Sequence, residues 1–184
     1  MALTARSTLR EVIQAVSATL RRRGIDAILT GGACASLHAR GDYLSQDLDY
    51  IIRGAVTRAR LDTAMAELGF GREGAQYTHP ATPFFVEFPP GPLAIGNDDL
   101  VEPVDIRVGN IRVSALSATD SCRDRLAAFY HWNDFQSLRV AAAIARRQRI
   151  DLEAIRRWSI NEGRADAFQK FVDELARLKA RPTG

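Results

Sequence analysis

Apolar side chains recur along this chain with two different spacings, and the spacing predicts where helices and strands lie. Over residues 7–23 they recur every three to four positions, which is typical of a helix that buries one face, and Gly24 ends the run. Short apolar runs over 25–30 and 47–52 predict buried strands, with a helix over 33–40 between them. Thr57 is placed to cap a further helix, and Gly69 lies just past the end of that helix.

The middle of the chain is rich in strand signals, and its end is helical. The run over 84–88 predicts a strand, and the runs over 104–108 and 111–115 predict a hairpin about Gly109 and Asn110. From Ser117 onwards the pattern predicts helices near 118–132, 134–149, 151–162 and 165–179. This order predicts an α/β or α+β fold, a small mixed sheet flanked by helices and followed by a C-terminal helical bundle. We therefore divide the chain into a core over 1–116 and a helical subdomain over 117–184.

The amino-acid composition narrows the classes of protein to which this chain can belong. The 184 residues are 46% hydrophobic and 26% charged, the balance of an ordinary globular protein. No apolar run approaches the roughly 20 residues that span a bilayer, so we expect no membrane partner. Cys34 and Cys122 are too few and too isolated for a disulfide framework or a zinc site, so we expect a reducing, cytoplasmic environment. Residues 1–116 carry 12 basic and 13 acidic side chains, and residues 117–184 carry 13 basic and 9 acidic side chains. The basic helical part fits either a nucleic-acid surface or an ordinary solvated surface.

Two glycines follow the first predicted strand and precede a predicted helix. Gly31 and Gly32 lack a Cβ, so a phosphate can approach their backbone closely. The N-terminus of a helix also offers unpaired N–H groups and a partial positive charge. The pair therefore predicts either a phosphate-binding turn or simply a tight turn between two elements.

Two aspartates open the second predicted strand. Asp47 and Asp49 are two residues apart, so on a strand their side chains point to the same side. Two carboxylates held together repel each other unless a cation lies between them, and Mg²⁺ takes such oxygen ligands together with substrate phosphates. A solvated start of the strand is the alternative, but the apolar residues that follow favour an internal strand.

A third carboxylate would complete a two-metal site of the kind that clamps the attacking and leaving oxygens of a phosphoryl transfer. Glu87 is the first candidate, because it is the one charged residue in the apolar run over 84–88. Asp105 is the rival, since it also lies in a predicted strand, although it fits the outward position of an alternating hairpin.

The order of these motifs resembles the polymerase-β-like nucleotidyltransferase superfamily, and most of all its AbiEii-type members from bacterial toxin–antitoxin and phage-defence systems. The resemblance is carried by residues 29–37 (LTGGACASL) and 45–50 (SQDLDY). It implies that Gly31, Gly32 and Ser45 line the triphosphate. It also implies that Asp47 and Asp49 bind Mg²⁺ or Mn²⁺, and that Glu87 is a third metal-binding carboxylate that helps activate the attacking hydroxyl.

A second matching block lies over residues 120–134. In the relatives a Lys-Leu-x-Ala helix precedes an Arg-Asp pair. Here Arg125 stands in the place of the Lys, and Asn133 stands in the place of the Arg before Asp134. The resemblance implies that Arg125 and Asp134 take part in nucleotide binding. Lys and Arg present different hydrogen-bond geometries to phosphate, so these departures also favour a second hypothesis, a nucleotide- or partner-binding module with little catalysis.

The implied reaction moves a nucleotidyl group from an NTP to an acceptor hydroxyl and releases pyrophosphate. By the same resemblance the acceptor is RNA, with tRNA first, or a protein hydroxyl, and a cognate antitoxin is an implied partner. A metal-dependent phosphohydrolase is a third hypothesis, which would release free phosphate in place of pyrophosphate.

Overall fold

The structure is a computed structural model that describes residues 2–180. Within them the chain forms seven helices and seven strands. The helices are α1 (Leu9–Arg22), α2 (Gly31–Ala39), α3 (Arg58–Ala66), α4 (Ala118–Trp132), α5 (Phe135–Arg147), α6 (Leu152–Asn161) and α7 (Ala165–Ala180). The strands are β1 (Asp26–Thr30), β2 (Asp47–Arg53), β3 (Gly71–Glu73), β4 (Gln76–His79), β5 (Thr82–Glu87), β6 (Val104–Val108) and β7 (Ile111–Ala115).

The strands form one mixed sheet in the order β3-β4-β5-β2-β1-β7-β6. β2 is central and pairs antiparallel with β1 on one side and parallel with β5 on the other. The hairpins β3-β4-β5 and β6-β7 extend the two edges with antiparallel pairs. The predicted fold class, a mixed sheet with flanking helices and a helical C-terminal part, is confirmed.

The chain divides into two compact units, each made of several segments. The first consists of residues up to Ala33, Leu44–Leu93 and Glu102–Ala115, and it contains the sheet with α1 and α3. The second consists of Cys34–Tyr43, Ala94–Val101 and the residues from Leu116 onwards, and it contains α4 to α7. Helix α2 begins in the first unit and continues in the second.

In the first unit, α1 covers one face of the sheet. The helix begins at a capping box, in which Glu11 N–H donates to the Thr8 hydroxyl and Thr8 N–H donates to the Glu11 carboxylate. The buried side of α1 carries the residues expected from the sequence period: Leu9, Val12, Ile13, Val16 and Leu20. The hydroxyls of Ser17 on α1 and Tyr50 on β2 lie 2.8 Å apart and form a buried hydrogen bond. This side of β2 therefore faces the core.

In the second unit, α5 contacts both α4 and α7. The helices begin at polar caps that the sequence contains at those places: Ser117 for α4, Asp134 for α5 and Asp151 for α6. A loop carboxylate adds to the packing, because Asp42 accepts from Arg147 Nε at 2.8 Å and from Arg146 Nη2 at 2.7 Å. Among the described residues, no helix is long and apolar enough to cross a membrane.

The structure differs from the sequence prediction at one edge of the sheet and at the start of α2. β3 and β4 were not predicted, because β3 has three exposed residues and β4 only four, too short for an alternating pattern. Helix α2 begins at Gly31, two residues before the predicted start. Both glycines therefore belong to the first turn of the helix.

Candidate active site

The turn from β1 into α2 is shaped by Gly31. Its φ of +60° lies in the left-handed region, which glycine adopts without penalty. A Cβ at this position would overlap Oδ2 of Asp49 and would lie 2.9 Å from Cγ of the same side chain. The Asp49 carboxylate therefore packs directly on the α-carbon of Gly31, and the glycine is required for this approach. The N-terminus of the nine-residue α2 lies at the same turn.

The two aspartates of β2 lie on the face opposite to α1. Along β2 the side chains alternate, with Leu48 and Tyr50 buried and Asp47 and Asp49 half-buried. Because Tyr50 bonds to Ser17 of α1, the two aspartates point to the other side of the sheet. The sequence spacing and the strand thus agree on a shared face.

The strand register brings Glu87 to the same face. In the parallel pair of β2 and β5, Asp49 is the Cα partner of Glu87 and Asp47 is the partner of Phe85. Partners in register point to the same side of a sheet, so Asp47, Asp49 and Glu87 share one face across two adjacent strands. Asp105, the rival third carboxylate, is exposed on β6 at one edge of the sheet, three strands away from β2.

Two of these carboxylates accept hydrogen bonds from neutral donors. The buried hydroxyl of Ser45 donates to Oδ1 of Asp47. The side-chain amide of Gln76, on β4, donates from Nε2 to Oε1 of Glu87 at 2.7 Å. Gln76 is not evident from the sequence, because it lies on the short unpredicted strand and a lone amide gives no signal of its own.

The donor set suits a hard divalent cation, since it consists of carboxylate oxygens on adjacent strands. Within residues 2–180, no group of three or more His, Cys, Asp or Glu side chains is already arranged to hold a metal ion. Each carboxylate instead has a local partner, namely Ser45 for Asp47, Gly31 for Asp49 and Gln76 for Glu87. A cation would therefore bind by drawing together side chains whose backbone positions already adjoin.

The two remaining predicted residues belong to the second unit. Arg125, half-buried on α4, pairs with the Asp124 carboxylate at 2.7 Å. Asp134 caps α5, accepting from the N–H groups of Gln136 and Ser137 at 2.9 and 3.1 Å and from the Ser137 hydroxyl at 2.7 Å. Partial burial opposes ionisation of Asp134, but these bonds and the charge of Arg125 outweigh it, so its pKa is lowered. Asp134 is therefore a carboxylate that a helix start holds in its charged form.

Comparison with known proteins supports the fold. No family model matches the sequence, and no curated protein matches it. An antigenic nucleotidyltransferase-like protein from Paracoccidioides brasiliensis is 18% identical, covers 77% of each chain and has a TM-score of 0.56. The antibiotic-resistance factor ANT(2'')-Ia in solution is 14% identical over 92% of this chain and 96% of that one, with a TM-score of 0.55. A crystal structure of ANT(2'')-Ia in complex with adenylyl-2''-tobramycin is 16% identical over 89% of this chain and 98% of that one, with a TM-score of 0.53. The chain thus has the fold of nucleotidyltransferase-like proteins.

Proposed function

We propose that this protein is a metal-dependent nucleotidyltransferase. The observation that carries the proposal is the shared face of Asp47, Asp49 and Glu87 beside the glycine turn that starts α2. The fold similarity to nucleotidyltransferase-like proteins, including one with an adenylylated product, supports the same class of reaction. The AbiEii-type motifs extend the proposal to a toxin–antitoxin or phage-defence component with a cognate antitoxin.

In the proposed reaction an acceptor oxygen attacks the α-phosphorus of an NTP, and the bond to pyrophosphate breaks. Glu87 takes the proton of the acceptor hydroxyl, and Asp47, Asp49 and Glu87 would together hold Mg²⁺ or Mn²⁺. When bound, the metal stabilises the charge that develops on the attacking and leaving oxygens. The N–H groups of Gly31 and Gly32 at the start of α2 bind the phosphates.

Three further residues support binding in this proposal. Ser45, whose hydroxyl bonds to Asp47, lines the triphosphate and keeps that carboxylate in place. Arg125 supplies positive charge for the phosphates, which requires that it exchange its partner Asp124 for the nucleotide. Asp134 takes part in nucleotide binding through its carboxylate, which the start of α5 holds in the charged form.

The acceptor we propose is RNA, with tRNA first, because of the AbiEii-type motifs. Protein hydroxyls and amino sugars are the other acceptors to test, the latter because ANT(2'')-Ia has a structure in complex with adenylyl-2''-tobramycin. The protein is incubated with Mg²⁺ and each α-labelled NTP, together with tRNA, total RNA, total protein or tobramycin. Transfer of label to one acceptor, lost in Asp47→Asn/Asp49→Asn, is the expected result.

The alternative is a nucleotide- or partner-binding module with little catalysis. It is favoured by the Arg125–Asp124 pair and by the lack, among the described residues, of a ready-made group of metal ligands. Nucleotide binding without transfer to any acceptor would select this alternative. With γ-labelled NTP, release of free phosphate instead of pyrophosphate would indicate a phosphohydrolase and contradict nucleotidyl transfer.

A further inference from the structure

A row of polar side chains crosses three neighbouring strands on the face that carries the carboxylates. Asp49 on β2 is the register partner of Glu87 on β5, and Glu87 is the partner of Gln76 on β4. Glu87 therefore stands between a carboxylate on one side and an amide on the other. Nε2 of Gln76 donates to Oε1 of Glu87 at 2.7 Å.

This hydrogen bond orients the carboxylate of Glu87. The two oxygens of a carboxylate point in diverging directions, so holding Oε1 on the β4 side turns Oε2 away from Gln76. Across Glu87 from Gln76 lies β2 with Asp49. Oε2 is thus the oxygen that faces the acidic side of the row, where a cation or an acceptor proton would be taken up.

The amide is held in place by a rigid strand. Gln76 is half-buried, and the next residue, Tyr77, is fully buried. The Tyr77 hydroxyl donates to Asp62 at 2.7 Å, and its ring meets Phe88 edge-on at 5.5 Å between centroids. β4 also pairs with strands on both sides. A group on such a rigid element can fix the geometry of its neighbour.

We infer that Gln76 is a positioning residue, which acts through Glu87 by holding Oε1 so that Oε2 serves the cation and the acceptor hydroxyl. This inference rests on the proposed function. Hydrogen-bond partners of metal-binding carboxylates typically change metal affinity or activity by about 10–100-fold when they are removed. An effect of that size, transmitted only through Glu87, distinguishes positioning from simple packing.

The test is a double-mutant cycle read by metal binding. Mn²⁺ is titrated by electron paramagnetic resonance in the presence of an ATP analogue with a methylene bridge between the α and β phosphates. The proteins are the wild type, Gln76→Met, Glu87→Gln and the double variant. Gln76→Met keeps the length of the side chain and removes its donor. We expect it to weaken Mn²⁺ binding about 10–100-fold in the wild-type background and less than about twofold in Glu87→Gln.

A matched control comes from helix α7. Nε2 of Gln169 donates to Oδ1 of Asp173 at 2.9 Å, the same kind of amide–carboxylate bond in the second unit. Gln169→Met should leave Mn²⁺ binding unchanged. Thermal unfolding of each variant checks folding. Gln76→Thr, which suits a strand and is too short to reach Oε1, repeats the test if the methionine variant does not fold.

The outcomes separate the two proposals. If the wild type binds Mn²⁺ with the analogue but Gln76→Met binds equally well, the positioning role is wrong and the proposed function stands. The same holds if Gln76→Met weakens binding equally in the Glu87→Gln background, because its effect would then bypass Glu87. If the wild type does not bind Mn²⁺ with the analogue, the proposed function itself fails and the positioning role fails with it.

Discussion

Replacement of Gly31 by alanine tests the contact on which the candidate site is built. The residue has a φ of +60°, which costs an L-amino acid about 1–2 kcal/mol. Its new Cβ would overlap Oδ2 of Asp49 and would lie 2.9 Å from Cγ and 3.2 Å from Cβ of that side chain. Forcing an extra methyl group into so tight a place costs a further 1–3 kcal/mol or so. We expect Gly31→Ala to lower the free energy of unfolding by about 2–5 kcal/mol.

Gly24→Ala is the matched control in the same unit. Gly24 has a φ of +65°, and the atom nearest to its hypothetical Cβ is Nη2 of Arg60 at 4.0 Å. The substitution therefore carries the backbone cost alone, about 1–2 kcal/mol. Urea denaturation of both variants isolates the cost of the clash as their difference. Binding of Mn²⁺ with the ATP analogue should survive in Gly24→Ala and be lost in Gly31→Ala, where Asp49 must move.

Making Gly31→Ala in a second variant, Asp49→Ala, shows whether the Asp49 side chain causes the cost of the substitution. Asp49→Ala removes the carboxylate that the new methyl group would meet. In that background only Cβ of residue 49 stays close, 3.2 Å from the new methyl group, so Gly31→Ala should cost clearly less than in the wild type and approach the cost of Gly24→Ala. If Gly31→Ala is instead no more destabilising than Gly24→Ala in the wild-type protein, the carboxylate does not pack on the glycine. The phosphate-binding turn and the metal-binding carboxylates would then not meet at Gly31.

Three further predictions concern charges. Glu87→Gln removes a like charge beside Asp49, so in buffer with EDTA urea denaturation should show stability raised by up to about 1 kcal/mol, while Mn²⁺ binding is weakened; lower stability would contradict the repulsion. The hydrogen bond from Arg147 holds the pKa of Asp42 at about 2, below its usual 3.8, so the ion pair stabilises above pH 3.8 and is lost as the pH falls through 2. Asp42→Asn should cost about 1 kcal/mol at pH 7 for this partly exposed pair, and a cost that persists at pH 2 would refute the linkage. Asp134→Ala should destabilise by about 1 kcal/mol through loss of a cap, which Asp134→Asn keeps; unchanged nucleotide affinity in the asparagine variant would contradict a role for this carboxylate in binding.

The parts of the fold that the sequence predicted are those in which burial repeats regularly. α1 shows a full helical period of apolar residues and a capping box at Thr8 and Glu11, so its pattern and its start agree. The short strand β3 has no buried residue, and its place is set by pairing with β4. No local pattern encodes such a strand, which explains why this edge of the sheet was missed.

The candidate site likewise has features that the sequence predicts and features that only the fold creates. The spacing of Asp47 and Asp49 predicts their common face, because it depends only on the period of a strand. That Glu87 is the register partner of Asp49 depends on a parallel pairing between residues 38 positions apart, which periodicity alone does not give. Gln76 could not be predicted at all, because its importance comes from the cross-strand bond to Glu87 and from no motif.

The hydrogen-bond partners of Asp47 and Glu87 bear on whether a cation binds at the candidate site. Some acids of the chain are neutralised by arginine, as at Asp42 with Arg147 and at Asp98 with Arg123. Others, such as Asp134 and Asp173, accept from neutral donors. In the candidate site, Asp47 accepts a hydrogen bond from a hydroxyl and Glu87 accepts one from an amide. These neutral donors satisfy a carboxylate oxygen without cancelling its charge. Half-buried like charges on neighbouring strands disfavour each other, and neutral donors leave that cost in place. A divalent cation would remove it, so this arrangement gives up some stability in the unliganded protein and gains affinity for metal and nucleotide together. The rise in stability expected for Glu87→Gln in buffer with EDTA measures this cost.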